Sequence, residues 1–183
     1  MFKSKIVMIG DASVGKTSIV QRWAHDRFDT SHIETIGVDI VSKDLKISDE
    51  NSDIIHFDCW DIGGQDYFKT IRGNFYLKAS GAVLICDVTN EKSFQNLEKW
   101  VKETIDSLSK RIPFVLVGNK IDLESDRIIS KTMLDEKAKE LGITKIIETS
   151  AKTGENVDNA FIFIGELLLK EFKKELDAST QDL

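Results

Sequence analysis

Short apolar runs alternate with segments of helical period from Lys5 to Phe172, and this alternation restricts the fold more than any other feature of the chain. Lys5–Ile9 reads as a strand ending at Gly10, and Thr17–Ala24 has helical character. Val38–Ile47 alternates weakly, and a polar turn at Asp49–Asp53 separates it from Ile54–Trp60, which predicts a hairpin. Ala82–Cys86 and Phe114–Val117 are continuous apolar runs, with Pro113 at the start of the second, where a missing N–H is tolerable. Ser93–Leu108 carries Phe94, Leu97, Val101, Ile105 and Leu108 on one helical face. Ile129–Leu141 reads as a helix stopped by Gly142, Ile143–Glu148 as a last strand, and Asn156–Phe172 as a helix burying Val157, Ala160, Phe161, Ile164 and Leu168. Strands interleaved with helices in this way predict an α/β domain around a mostly parallel sheet. One domain is expected over residues 1–175, with a polar, fraying tail at 176–183.

Composition excludes several classes of function. The 183 residues suit one domain, and a net charge of −6 without a basic stripe argues against nucleic-acid binding and against polybasic attraction to anionic lipid. No apolar run approaches the roughly 18 residues of a membrane span. The start, Met1-Phe2-Lys3-Ser4, has no signal-peptide core and no glycine for myristoylation. Cys59 and Cys86 sit in apolar strands and read as reduced core thiols of a reducing compartment, which makes the expected location cytoplasmic.

In an open α/β sheet, ligands bind beyond the carboxyl ends of the strands. Four polar clusters fall there. The first, Gly10-Asp11-Ala12-Ser13-Val14-Gly15-Lys16-Thr17, matches G-x-x-x-x-G-K-[ST] between a strand and a helix. Glycines let the backbone of Asp11 to Thr17 curl until its N–H groups, with that of Ser18, point at phosphate oxygens, and the helix start adds its positive end. Lys16 supplies a charge for the β- and γ-phosphates, and Thr17 offers a hydroxyl to Mg²⁺. The plainer reading, a glycine-containing turn with an incidental Lys-Thr, explains less, because both the motif and its flanks fit.

The second cluster, Trp60-Asp61-Ile62-Gly63-Gly64-Gln65-Asp66, ends the next strand. Asp61 can hold the metal, Gly64 can bring a backbone N–H to a terminal phosphate, and Gln65 can orient an attacking water. Taken alone, the stretch reads equally well as a flexible loop with a glycine hinge. The third, Asn119-Lys120-Ile121-Asp122, can select a base. Asp122 would accept from guanine N1–H and its exocyclic amine, a donor pair that adenine lacks. Asn119 can tie the base to the phosphate loop, and the Lys120 stem can cover its face. The fourth, Ser150-Ala151-Lys152, can present a backbone N–H to guanine O6. Each short motif is weak by itself, since Asn and Asp are common in turns. All four in this order, each behind a strand, form a strong set.

These motifs, with Glu34-Thr35-Ile36-Gly37-Val38-Asp39 and Cys86–Phe94, resemble the Ras-like small GTPases, most closely the Rab branch, over about Lys5 to Phe172. The resemblance implies a single P-loop GTPase domain, a six-stranded mostly parallel sheet with five helices on both faces. It implies binding of GTP and GDP with Mg²⁺, slow hydrolysis gated by partners, and control of membrane traffic. By the same resemblance Thr35 binds Mg²⁺ and γ-phosphate, Phe28 packs against guanine, and Ile40, Trp60 and Phe75 form an effector-facing apolar triad. Effectors, exchange factors and GTPase-activating proteins would dock on residues about 30–40 and 62–76 of a monomer.

The chain also departs from the Rab pattern. Ile62, Gly63 and Asp66 replace Thr, Ala and Glu, and the Gly-Gly pair is similar to the Arf branch. Gly63 is expected to loosen the second switch. Ile40 stands where Phe is usual, and His32 where many relatives carry Tyr. A His32 that closes over the γ-phosphate would make closure depend on pH, but a solvated loop histidine is the more ordinary outcome. His25 and His56 belong to no ligand set. No cysteine follows Cys86, so no lipid anchor is expected within these residues, and membrane recruitment would need a lipidated tail beyond them. Two other readings remain: a nucleotide-bound interaction module that barely hydrolyses GTP, and a P-loop kinase, which leaves residues 119–122 and 150–152 unexplained.

Overall fold

The structure, a computed structural model, describes residues 2–29, 34–47 and 53–181. The elements run β1 (Phe2–Ile9), α1 (Lys16–His25), β2 (Val38–Lys46), β3 (Ile54–Ile62), α2 (Lys69–Tyr76) and β4 (Gly81–Asp87). They continue through α3 (Glu91–Gln95), α4 (Leu97–Leu108), β5 (Phe114–Asn119), α5 (Lys131–Leu141), β6 (Lys145–Thr149) and α6 (Val157–Gln181). α3 and α4 are one helix broken at Asn96, whose N–H donates to Lys92 O at 3.0 Å and whose carbonyl accepts from Trp100 N at 3.2 Å.

The six strands form one sheet in the order β2-β3-β1-β4-β5-β6. Only β2 and β3 pair antiparallel, with Ile40 opposite Trp60 and Val38 opposite Ile62. The other neighbours are parallel. The period of two puts Ile6 and Met8 on one face of β1 and Val7 and Ile9 on the other. The first face packs against α1 and α6, where Trp23 stacks on Phe161 at 3.9 Å and meets Phe57 edge-on at 6.2 Å. Such aromatic pairs add about 0.5–1.5 kcal/mol beyond their buried area. The second face packs against α2, α4 and α5 through Tyr76, Leu97, Trp100 and Leu134. Both faces are therefore covered, as a parallel sheet requires. Cys59 and Cys86 are buried free thiols.

Several elements differ from the sequence reading. Lys69–Tyr76 forms a helix that the sequence did not announce, and its buried residues are Arg72 and Tyr76. The expected face of this broken helix does meet the core but is wider than expected: Trp100 and Thr104 are buried with Leu97 and Val101, and Phe94, Ile105 and Leu108 pack half-buried against the same cluster. The expected tail is helical as far as Gln181. No glycine or proline follows Phe172 to stop the helix, and Phe172 is pinned by stacking on Phe2 at 5.3 Å. No helix among the described residues is long and apolar enough to cross a membrane.

β1 lies inside the sheet, flanked by β3 on one side and β4 on the other. The loop after β1 therefore opens at the crevice where the strand order reverses, the usual ligand position of such sheets.

Candidate functional site

The loop between β1 and α1 is shaped by three residues with positive φ: Gly10 at 142°, Ser13 at 64° and Gly15 at 98°. A Cβ on Gly10 would drive into the Ile85 carbonyl, and one on Gly15 into the Asn119 amide. The loop curls around Lys16, whose Nζ donates to Gly10 O at 2.9 Å and Asp11 O at 2.7 Å. The side chain is only 5% exposed. Burial pulls its pKa down to about 8, against the opposing pull of Asp61 and Asp11. Below that pH the amine carries the charge that a polyphosphate needs, and above it the charge is lost. Binding above pH 8 must then include uptake of a proton. Affinity for GDP is expected to fall by up to about tenfold per pH unit above 8 and to stay flat in Lys16→Arg, whose charge does not titrate in this range. Fluorescence titration from about pH 7 to 9 measures this.

Three oxygen-bearing side chains from separate segments meet beside the loop. Thr17 Oγ1, at the start of α1, lies 2.6 Å from Thr35 Oγ1. Thr17 donates to Asp61 Oδ2 through a short hydrogen bond, and Thr35 reaches the same oxygen at 3.3 Å. Asp61 is buried, and its Oδ1 has no partner among the described residues. Burial pushes its carboxyl up, although the two hydroxyls and Lys16 hold it down. Two hydroxyls and a buried carboxylate with an orphaned oxygen are all hard donors, and they fit Mg²⁺.

The second cluster lies across the same loop. A Cβ on Gly64 would sit 2.5 Å from Ala12 N and from Asp11 C, so this glycine touches phosphate-loop backbone that no side chain could approach. Gln65 Oε1 is buried without a hydrogen-bond partner among the described residues. Gly63, expected to loosen the segment, is buried and donates its N–H to Gly37 O at 2.9 Å, which joins the segments around Thr35 and Asp61.

At the far end of the crevice, Asn119 closes β5 and donates to Val14 O at 2.9 Å, so it does tie this region to the phosphate loop. Its Oδ1 accepts from Thr149 Oγ1 at 3.0 Å and Ala151 N at 3.3 Å. That second bond is long for N–H···O, which leaves the Ala151 N–H weakly held. Lys120 has a φ of 71° and pairs with Asp87 Oδ2 at 2.7 Å. Asp122 accepts from Ser150 Oγ at 2.6 Å, and Lys152 Nζ stands 4.0 Å from its other oxygen. Phe28 is half-buried and packs against the α1/α6 core. Ser18 is half-buried next to Thr17. Residues 30–33, His32 among them, lie outside the described residues.

The chain belongs to the Ras family. The Ras family model matches residues 5–170. "Ras-related protein Rab-13" of Bos taurus is 39% identical over 94% of this chain and 83% of its own length. Rab-10 of Diplobatis ommata is 36% identical over 98% and 88%, and Rab-8B of Pongo abelii 34% over 96% and 83%. The chain is thus a small GTPase of the Rab branch.

Several residues that build this Rab-branch site escaped the sequence reading. Arg22 on α1 donates to Ala151 O at 3.0 Å and Lys152 O at 2.8 Å, and it also holds Asp26 Oδ1 at 2.9 Å. It clamps the loop after β6 to the segment that leads to Thr35. Asp11 sends its carboxylate away from the crevice, to Asn96 Nδ2 at 2.7 Å and Trp100 Nε1 at 2.7 Å. Asp87 at the end of β4 receives Lys120. Apart from Asp26, four residues after Arg22, these partners are separated by many residues, and no local spacing signals them. Of the three residues expected in the apolar triad, Ile40 is 48% exposed and opposite Trp60, over whose ring Lys5 Nζ sits at 3.4 Å. Phe75 is half-buried within α2 and packs against the second core cluster.

Proposed function

We propose that the chain is a guanine-nucleotide switch that binds GTP or GDP with Mg²⁺, hydrolyses GTP slowly, and acts on membrane traffic through effectors that bind its GTP state. The meeting of Thr17, Thr35 and the orphaned Asp61 oxygen carries this reading, because it brings three segments to one hard-oxygen site beside a phosphate loop. Backbone N–H groups from Asp11 to Ser18 and the Lys16 amine would hold the phosphates. Thr17, Thr35 and Asp61 would hold Mg²⁺, which when bound screens the negative charge of the phosphate oxygens. Gly64 would bring its N–H to the γ-phosphate, where a side chain would collide with Ala12. Gln65, whose amide oxygen has no partner among the described residues, would orient the attacking water. Asp122 would accept from guanine N1–H and its amine. Ala151 would turn its weakly held N–H to O6, with Lys120, Phe28, Ser150 and Lys152 enclosing the base.

Loss of the γ-phosphate would remove partners from Thr35 and Gly64 and relax the segments that carry them. Ile36, at 83% exposure, with Ile40, Tyr67 and Ile71, offers an apolar surface on these two segments for effectors. Single-turnover hydrolysis of preloaded GTP tests the reading. The native chain is expected to convert GTP slowly, and faster with an activating protein that supplies an arginine, an addition of about 10³ to 10⁵ in rate among Ras-type enzymes.

A further inference from the structure

We infer that Arg72 is a positioning residue for hydrolysis, holding the backbone around Gln65 through a relay that runs from the phosphate loop across α4. This rests on the reading of Gln65 as the residue that orients water.

The Arg72 side chain is fully buried, an uncommon place for arginine. Its planar fork is divided between two tasks. Nε and Nη2 grip Glu103 of α4 at 2.6 and 3.0 Å, a bidentate pair. Nη1 reaches back to the carbonyls of Gln65 at 3.2 Å and Gly63 at 3.5 Å. Those two carbonyls flank Gly64, whose Cα lies against Asp11 and Ala12. The guanidinium thereby holds the Gln65 carbonyl, with a longer and weaker reach to Gly63, while Gly64 between them is held by contact with the phosphate loop. Gly63 and Gly64 would otherwise be among the freest backbone positions in the chain.

The anchor of Arg72 is itself held. Glu103 Oε1 accepts from the Tyr76 hydroxyl at 2.8 Å. Burial, reinforced by Glu103, pushes the Tyr76 phenol well above its ordinary range, so it remains a donor. The guanidinium lies 4.2 Å from the centre of the Trp100 ring, and the same indole donates to Asp11. Asp11, Trp100, Arg72 and the Gln65 carbonyl therefore form one continuous series of contacts. A side chain serving folding alone needs only Glu103 and Trp100; the bonds to the two carbonyls are what tie it to hydrolysis.

Arg72→Lys separates these roles. Lysine keeps the charge and can pair with Glu103, but a single ammonium cannot span Glu103 and both carbonyls. Glu103→Gln is the second variant, because it removes the charge that orients the guanidinium. In single-turnover assays of preloaded GTP, Arg72→Lys is expected to slow hydrolysis about tenfold or more and Glu103→Gln about threefold, as misplacement of a reacting group predicts. Affinity for GDP should stay within about twofold of native in both, and Arg72→Lys added to Gln65→Leu should cost nothing further, because both act on one step. Native rates in both variants, or a full additional loss in the double variant, would overturn the inference. If Arg72→Lys fails to fold, Glu103→Gln decides: a slower rate at native GDP affinity supports the inference and a native rate overturns it. If Gln65→Leu itself hydrolyses GTP at the native rate, the fault lies in the reading of Gln65, and the inference falls with it.

Discussion

Asp122→Asn is expected to weaken GDP binding by about 10²- to 10⁴-fold and to create binding of xanthosine diphosphate. The carboxylate would meet two guanine donors, and a hydrogen bond to a charged group contributes about 1.5–3 kcal/mol. Two such bonds set the range, at 1.4 kcal/mol per tenfold. Asparagine offers one acceptor and one donor, the complement of xanthine, which has a carbonyl where guanine has its amine. The substitution leaves the fold intact, because the amide oxygen can still accept from Ser150. Competition of each diphosphate against a fluorescent nucleotide measures both affinities. Unchanged affinity for GDP would remove Asp122 from the base site.

Gly64→Ala is expected to lower the hydrolysis rate by about 10²-fold while GDP still binds, since a displacement of about 1 Å in a reacting assembly costs that much. The added methyl would stand 2.5 Å from Ala12 N and Asp11 C and 2.7 Å from Asp11 O, all backbone atoms. A flexible side chain could swing aside, but the phosphate loop cannot, because Asn96 and Trp100 hold Asp11 and Asn119 holds Val14. The segment carrying Gln65 must retreat instead. Single-turnover hydrolysis with a parallel GDP titration checks this, and a native rate would mean that Gly64 does not approach the phosphate loop during the reaction.

Much of this was legible in the sequence because the signals are local. Strand and helix periods, the polar stretch between β2 and β3, and Gly142 as a left-handed cap with φ 64° all depend on neighbours along the chain. The motifs were legible for the same reason, since each follows its own strand. What the sequence did not announce depends on partners far away. α2 contains Gly73 and has an arginine on its inward face, so its pattern reads as a surface loop until Glu103 and Trp100 are in place. Trp100 turns inward because Asp11 satisfies its indole N–H across 89 residues, and this widens the buried face of α4 beyond Leu97 and Val101. Gly63 is bonded through its N–H to Gly37 O, a contact 26 residues back along the chain that its own neighbours do not signal. Arg22 reads as an ordinary surface arginine of α1, and only the return of the loop after β6 gives it two carbonyls to hold.

The measurement closest to the central claim is single-turnover hydrolysis of preloaded GTP by the native chain and by Gln65→Leu, with Mg²⁺ present. Slow conversion to GDP is expected of the native chain, with loss of most of that activity in Gln65→Leu, at about 10²-fold or more for removal of a water-positioning group. Equal rates in the two chains, or GTP that stays intact in both, would contradict the claim.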